Sequence, residues 1–235
     1  MTALPLNFYD LVDSFHADGC VVCRLVERDV ERYLDSHLYE FINTPETHAA
    51  LRASRGLCAT HSEQATQFGA SVLGIAILHS AVLDQLLKEA TASPAARSRL
   101  ARLLGSGTKL AERLEPGGAC IACEALKRAE SQHVTTIAMH IDEAAMQQAY
   151  RESSGLCLPH FRATLRAAPN GEAIERLLEI QTVIWEALKR ELDLFADQYD
   201  TNYGKATMGE EGDSWRRALR LVGGAARVQG LRRDE

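Results

Sequence analysis

A chain of 235 residues that is 46 % hydrophobic can bury a substantial core, as one large domain or two small ones. Its net charge of −6 gives no global attraction to a polyanion, which argues against a general nucleic-acid binder. Aromatic residues make up only 6 %, while Ala, Leu, Glu and Arg are plentiful, so helices are favoured over strands.

Residues 7–19 form a lead-in with Phe8, Leu11, Val12 and Phe15 at helical spacing, interrupted by Gly19 and Cys20. From Val21 to about Phe41, Leu25, Val26, Val30, Tyr33, Leu34 and Leu38 keep a helical period. Asn43-Thr44-Pro45-Glu46 is a helix start signal, and the short helix it opens ends near Arg55-Gly56, where Gly56 suits a C-terminal cap. A further helix begins around Cys58 and His61 and continues into the apolar stretch 68–87. Ala70, Gly74 and Ala81 would there admit a close neighbour, and this stretch is expected to be the buried central helix of the first half. It is too short and too interrupted by Ser71, His79 and Ser80 to span a membrane. Pro94 opens a helix to about Leu114 that carries Arg97, Arg99, Arg102, Lys109 and Arg113 and reads as a solvated linker.

The second half repeats the first. Cys120 to His133 aligns with Cys20 to Tyr33 at an offset of 100, and Arg151 to Cys157 aligns with Arg52 to Cys58 at an offset of 99. After the turn Pro169-Asn170-Gly171, a long helix from Glu172 to about Tyr199 places Ile174, Leu177, Leu178, Ile184, Trp185, Leu188, Leu192 and Phe195 on one broad face. The tail contains one amphipathic basic piece, Trp215 to Leu221.

The repeated constellation carries the chemistry. Cys20-x-x-Cys23 is followed after 34 residues by Cys58-x-x-His61, and Cys120-x-x-Cys123 after 33 residues by Cys157-x-x-His160. All six cysteines are used. The N-terminus lacks a basic region followed by an apolar stretch, so no export signal is expected. Cysteines in such a chain are expected in a reducing, cytoplasmic compartment, where short fixed spacings of Cys and His point to metal ligands rather than disulfides. Residues i and i+3 share a helical face, so each pair can converge on one ion, helped by a glycine ahead of it (Gly19, Gly118). Three thiolates and one imidazole make a closed tetrahedral zinc site, and two zinc ions are the leading expectation. The same donors can hold iron–sulfur clusters, so two clusters serving electron transfer or oxygen sensing are the alternative.

Other features are bland. Glu130-Ser131-Gln132-His133 reads as a helix surface pair, since a di-iron site would need a second Glu-x-x-His that the first half lacks. His133 and His140 lie seven apart on one helix face, and His79 reads as a hydrogen-bonded core histidine. The sequence has no phosphate loop, nucleophile elbow or paired carboxylates, so no catalytic residues are assigned.

The two C-x-x-C pairs, the two Gly-Leu-Cys-x-x-His phrases (Gly56 to His61, Gly155 to His160) and the late Phe195-x-x-x-Tyr199-Asp200 resemble those of a group of uncharacterised bacterial and archaeal proteins, domain of unknown function 6062. Members often carry Phe after each motif His; Phe161 fits and Ser62 does not, which touches packing rather than ligands. The resemblance implies paired sites over nearly the whole chain and implies no activity.

The expectation is therefore an all-α protein of two pseudo-symmetric helical repeats, each built round one Cys3His site. Residues 1–91 form the first repeat, 92–119 a linker helix, 120–200 the second repeat and 201–235 a partly disordered tail. The expected function is non-enzymatic metal binding that fixes the fold and supports an interaction with a protein partner. A third reading is nucleic-acid binding through residues 97–113 and 216–233, against which the net charge counts.

Overall fold

The computed structural model describes residues 4–92, 106–201 and 209–225. Among these residues the structure is all helical: α1 (Leu6–Ser14), α2 (Val21–Tyr39), α3 (Pro45–Ala53), α4 (Ala59–Ala65), α5 (Val72–Ala92), α6 (Ser106–Leu114), α7 (Ile121–Met139), α8 (Ala144–Arg151), α9 (Leu158–Ala167), α10 (Gly171–Thr201) and α11 (Ser214–Gly223). No helix among the described residues is long and apolar enough to cross a membrane.

The chain divides into two compact units that are not consecutive. One comprises Met1–Arg28 and Arg128–Glu235, the other Asp29–Lys127. Both boundaries fall inside long helices, α2 and α7, each of 19 residues. Such a helix is about 28 Å long, so its two ends can belong to different cores. This division cuts across the consecutive repeats read from the sequence. The stretch from Pro94 to Gly105, with Arg97, Arg99 and Arg102, lies outside the described residues, as do 202–208 and 226–235.

In the first unit α1 packs on α8, α8 on α10, and α11 on α9 and α10. Its core contains Phe8, Leu11, Phe15, Ile137, Ile141, Met146, Tyr150, Leu156, Phe161 and Leu177, with Phe15 stacked on Tyr150 at 5.3 Å. Burial of the apolar stripe of α1 explains why so short a helix holds. Asp10 receives both guanidinium nitrogens of Arg28 at 2.6 and 2.9 Å. At the start of α10, Asn170 Oδ1 accepts the Ala173 N–H at 2.9 Å, a side-chain cap on the turn expected there.

In the second unit α3 and α6 pack on α5, and Val30, Leu34, Leu38, Leu51, Leu78 and Val82 are buried. The start of α3 is as expected, with Thr44 extended and Pro45 in the first turn. Its end uses Gly56 as expected, at φ 94, but Arg55 before it also takes a left-handed conformation (φ 57), with Arg55 N–H on Arg52 O and Gly56 N–H on Leu51 O. The cost of φ > 0 at Arg55 is offset by its side chain, which binds Glu89 at 2.6 and 3.1 Å and the carbonyls of Arg113 and Glu115.

The helix expected to run from Cys58 through residue 87 is broken after Ala65. A 3-10 turn at Gly69–Ser71 precedes α5. Nor is α5 buried all round: Gly74, Leu78 and Val82 face inward, whereas Val72, Leu73, Ile77, Leu83 and Leu87 are exposed. Gly74 does provide the close approach anticipated for small residues. A Cβ there would lie 1.8 Å from the Leu38 carbonyl oxygen, a backbone atom that cannot swing aside. Gly74→Ala is accordingly expected to lower unfolding free energy by about 3 kcal/mol, read from a denaturant midpoint. A midpoint within error of the parent would show that α2 and α5 are further apart.

Candidate metal centres

Each of the four ligand pairs sits at a helix N-terminus. Cys20 precedes α2 and Cys23 lies in its first turn; Cys120 and Cys123 hold the same positions on α7. Cys58 and Cys157 are the N-cap residues of α4 and α9, with ψ of 166° and 153°, and His61 and His160 lie one turn on. Free N–H groups and the positive dipole end at these positions favour thiolate over thiol. Gly19 and Gly155 adopt φ of 80° and 78° in the turns that deliver the chain to Cys20 and Cys157.

All eight predicted residues come together in two groups of four, within which all ligand atoms lie inside 4.8 Å of one another. The groups exchange partners relative to the order of the chain. Cys20 and Cys23 meet Cys157 and His160 in the first unit, and Cys120 and Cys123 meet Cys58 and His61 in the second. The all-α fold with two Cys3His groups is thus as expected. The grouping of each C-x-x-C with the C-x-x-H of its own repeat is corrected: the first turn of α2 packs with the second repeat's loop, and that of α7 with the first's.

In the first unit His160 Nδ1 stands 3.4 Å from both Cys20 Sγ and Cys23 Sγ and 3.2 Å from Cys157 Sγ, and Cys23 Sγ is 3.7 Å from Cys157 Sγ. In the second unit His61 Nδ1 lies 3.2, 3.7 and 3.4 Å from the sulfurs of Cys58, Cys120 and Cys123, with Cys58 and Cys123 3.6 Å apart. Both histidines therefore present Nδ1 to the thiols.

The electrostatics are those of several thiols crowded round one histidine. Burial pushes the Cys20 thiol up, but hydrogen bonds from Cys157, Cys23 and His160 outweigh it and hold the group well below its ordinary value. Cys157 is pushed up by its hydrogen bonds to Cys20 and Cys23 and by burial. Burial lowers His160, yet the two neighbouring thiols Cys20 and Cys23 carry it up to about 9. In the second unit burial is again overcome at Cys120, which His61 and backbone N–H groups bring down to about 6, while burial and the Cys120 charge drive Cys123 up. One thiolate per group is stabilised and a neighbouring thiol resists ionisation. A divalent cation would remove that conflict.

A proton count follows. Loading the first group at pH 7 must displace the protons of His160 and Cys157, because a metal ligand is deprotonated. His160 is raised above its ordinary 6.5, so its contribution to the metal-free state is full below that value and lost as pH rises through about 9. Metal affinity of this group should therefore climb from pH 6 to 9. Calorimetric titrations with a divalent metal in buffers of different ionisation enthalpy should give two or more protons released. A pH-independent affinity would contradict the assignment.

Around the first group the structure gathers residues that the sequence analysis did not assign to it. Glu130 Oε1 stands 3.0 Å from His160 Nε2, on the far side of the ring from the sulfurs. Glu130 is thus half-buried beside the site rather than a surface partner of His133, which is itself buried. Gln181 Oε1 accepts the Leu156 N–H at 2.9 Å and the Tyr150 O–H at 2.5 Å, bracing the loop ahead of Cys157. Ser154 Oγ accepts the Gly19 N–H at 3.2 Å, and Arg24 donates to the carbonyls of Ser14, Asp18 and Gly19. Besides the Glu-x-x-His spacing, which read as a surface pair, the sequence marks Glu130 by a break in the repeat, since the aligned position holds Val30. His79 proves half-buried, its Nδ1 on the Ile75 carbonyl at 2.9 Å and its ring against Gly56.

The model of a family of unknown function, DUF6062, matches residues 11–229. The chain belongs to this family. An uncharacterized 23.9 kDa protein in the xynA 3' region of Caldicellulosiruptor sp. (strain Rt8B.4) is similar, with 21 % identity over 216 residues that cover 91 % of this chain and 99 % of the relative. No solved structure matches.

Proposed function

We propose that the chain is a non-enzymatic zinc protein whose two ions fix the fold and hold a surface for a protein partner. The spacing of the donor atoms carries this reading. A tetrahedral zinc ion, with Zn–S of about 2.3 Å and Zn–N of about 2.0 Å, sets its ligand atoms about 3.5–3.8 Å apart. The S···S separations of 3.6 and 3.7 Å and S···N separations of 3.2–3.7 Å fit one ion per group. An iron–sulfur cluster divides its four ligands between two or four irons, so ligand atoms on different irons would lie farther apart than the 4.8 Å within which each group fits. Four protein ligands leave no open position, so the ion has a structural rather than a hydrolytic role. The exposed apolar residues Leu73, Leu83 and Leu87 of α5 are a surface that a partner would cover. Nucleic acid fits less well, since Arg217 of the basic helix is already engaged by Glu191 and Asp213.

Metal analysis with a visible spectrum, on protein purified without oxygen, tests the reading. Two zinc ions per chain and no colour are expected. Brown protein containing iron and acid-labile sulfide would overturn it in favour of a redox role.

A further inference from the structure

The two groups share one donor set but not one environment. Exposure separates them little: as whole residues Cys20 in one and Cys58 in the other are half-buried, though Cys58 is the more open ligand. The surrounding shell separates them more. In the first group the Glu130 carboxylate stands 3.0 Å from Nε2 of the ligating histidine, a charge contact without hydrogen-bond alignment, on the side of the ring away from the sulfurs. The repeat places Val30 at the corresponding position for the second group. The loop ahead of Cys157 is tied down by Tyr150, Gln181 and the Leu156 N–H. At the place of Tyr150 the first repeat has Leu51, which has no polar group, and against Gly56, where Gly155 meets Gln181, stands His79, whose Nδ1 bonds within its own helix. Arg24 fastens the turn before Cys20 to the end of α1, whereas its counterpart Glu124 makes only an exposed pair with Lys127 at 3.8 Å.

We propose that Cys58, His61, Cys120 and Cys123 form an exchange site for a soft divalent cation, which passes zinc to and from competing thiol or chelating ligands. The Cys20, Cys23, Cys157 and His160 site keeps its ion. Glu130 is a positioning residue for His160, and loss of such a contact lowers metal affinity by about 10- to 100-fold. The inference rests on the two-zinc reading above.

The test is release of zinc from the loaded full-length chain to a chromophoric chelator. Two phases of one equivalent each are expected, separated at least about tenfold in rate. Cys58→Ser should abolish the fast phase alone. Glu130→Val should accelerate the slow phase by about 10- to 100-fold, while Glu130→Gln, which keeps a polar oxygen facing Nε2, should accelerate it less. Release of both ions in one phase, or loss of the slow phase in Cys58→Ser, refutes the exchange site and leaves the two-zinc reading intact. Protein that carries no zinc at the outset refutes both.

Discussion

A variant that loses both Cys20 and Cys157 should keep one metal ion per chain, and a variant that loses Cys20 and Cys58 should keep none. The first substitution pair strikes a single group, because Cys20 and Cys157 belong together with Cys23 and His160. Cys58, His61, Cys120 and Cys123 then remain complete. The second pair removes one thiolate from each group. Pairing by repeat would give the opposite counts, so the two variants decide the connectivity without a structure. Serine in place of the ligands keeps the volume nearly constant, which limits the change to metal affinity. The readout is the metal-to-protein ratio after dialysis, with the thermal midpoint beside it. Counts reversed between the two variants would overturn the exchanged arrangement.

Stripping the metal should cost the protein its cooperative fold. A structural zinc ion contributes on the order of 10 kcal/mol to folding, against a total net stability of about 5–15 kcal/mol for an ordinary domain. The local helices have little of their own to fall back on. α4 has seven residues and α9 ten, both shorter than an isolated helix needs in water, and each begins at a ligand cysteine. A strong chelator is expected to abolish the sharp thermal transition and reduce far-ultraviolet helicity, with zinc restoring both and magnesium neither. Magnesium fails because it prefers oxygen ligands in an octahedron. A melting curve that ignores the chelator would show that the two groups are ordinary buried thiols.

Much of the local structure was legible because it is written in short-range signals. Thr44-Pro45 opens α3, and Pro169-Asn170-Gly171 opens α10, as capping chemistry requires. The break between α4 and α5 was not legible, since an apolar run continues through Phe68 to Ser71 and Gly69 alone is a weak stop. The same run hid the two-sidedness of α5, whose inner face is fixed by what α2 and α3 offer and not by its own composition. Arg55 in a left-handed conformation was equally hidden, because Glu89 and the carbonyls that hold it come from residues 34 to 60 positions away.

By itself the sequence determined the helical class, the eight Cys and His residues that gather in the two groups and their placement at helix starts, because each follows from composition or from contacts within one turn. It could not determine which pairs converge. Two C-x-x-C and two C-x-x-H pairs at nearly equal spacing combine in two ways, and both satisfy the same local chemistry. Only the tertiary structure chose: α2 and α7 each begin in one compact unit and continue in the other, so each carries its thiols to the loop of the opposite repeat. Glu130 followed from the same choice. Its carboxylate has no meaning one turn from its neighbours in sequence, and acquires one where α7 passes the outer nitrogen of His160.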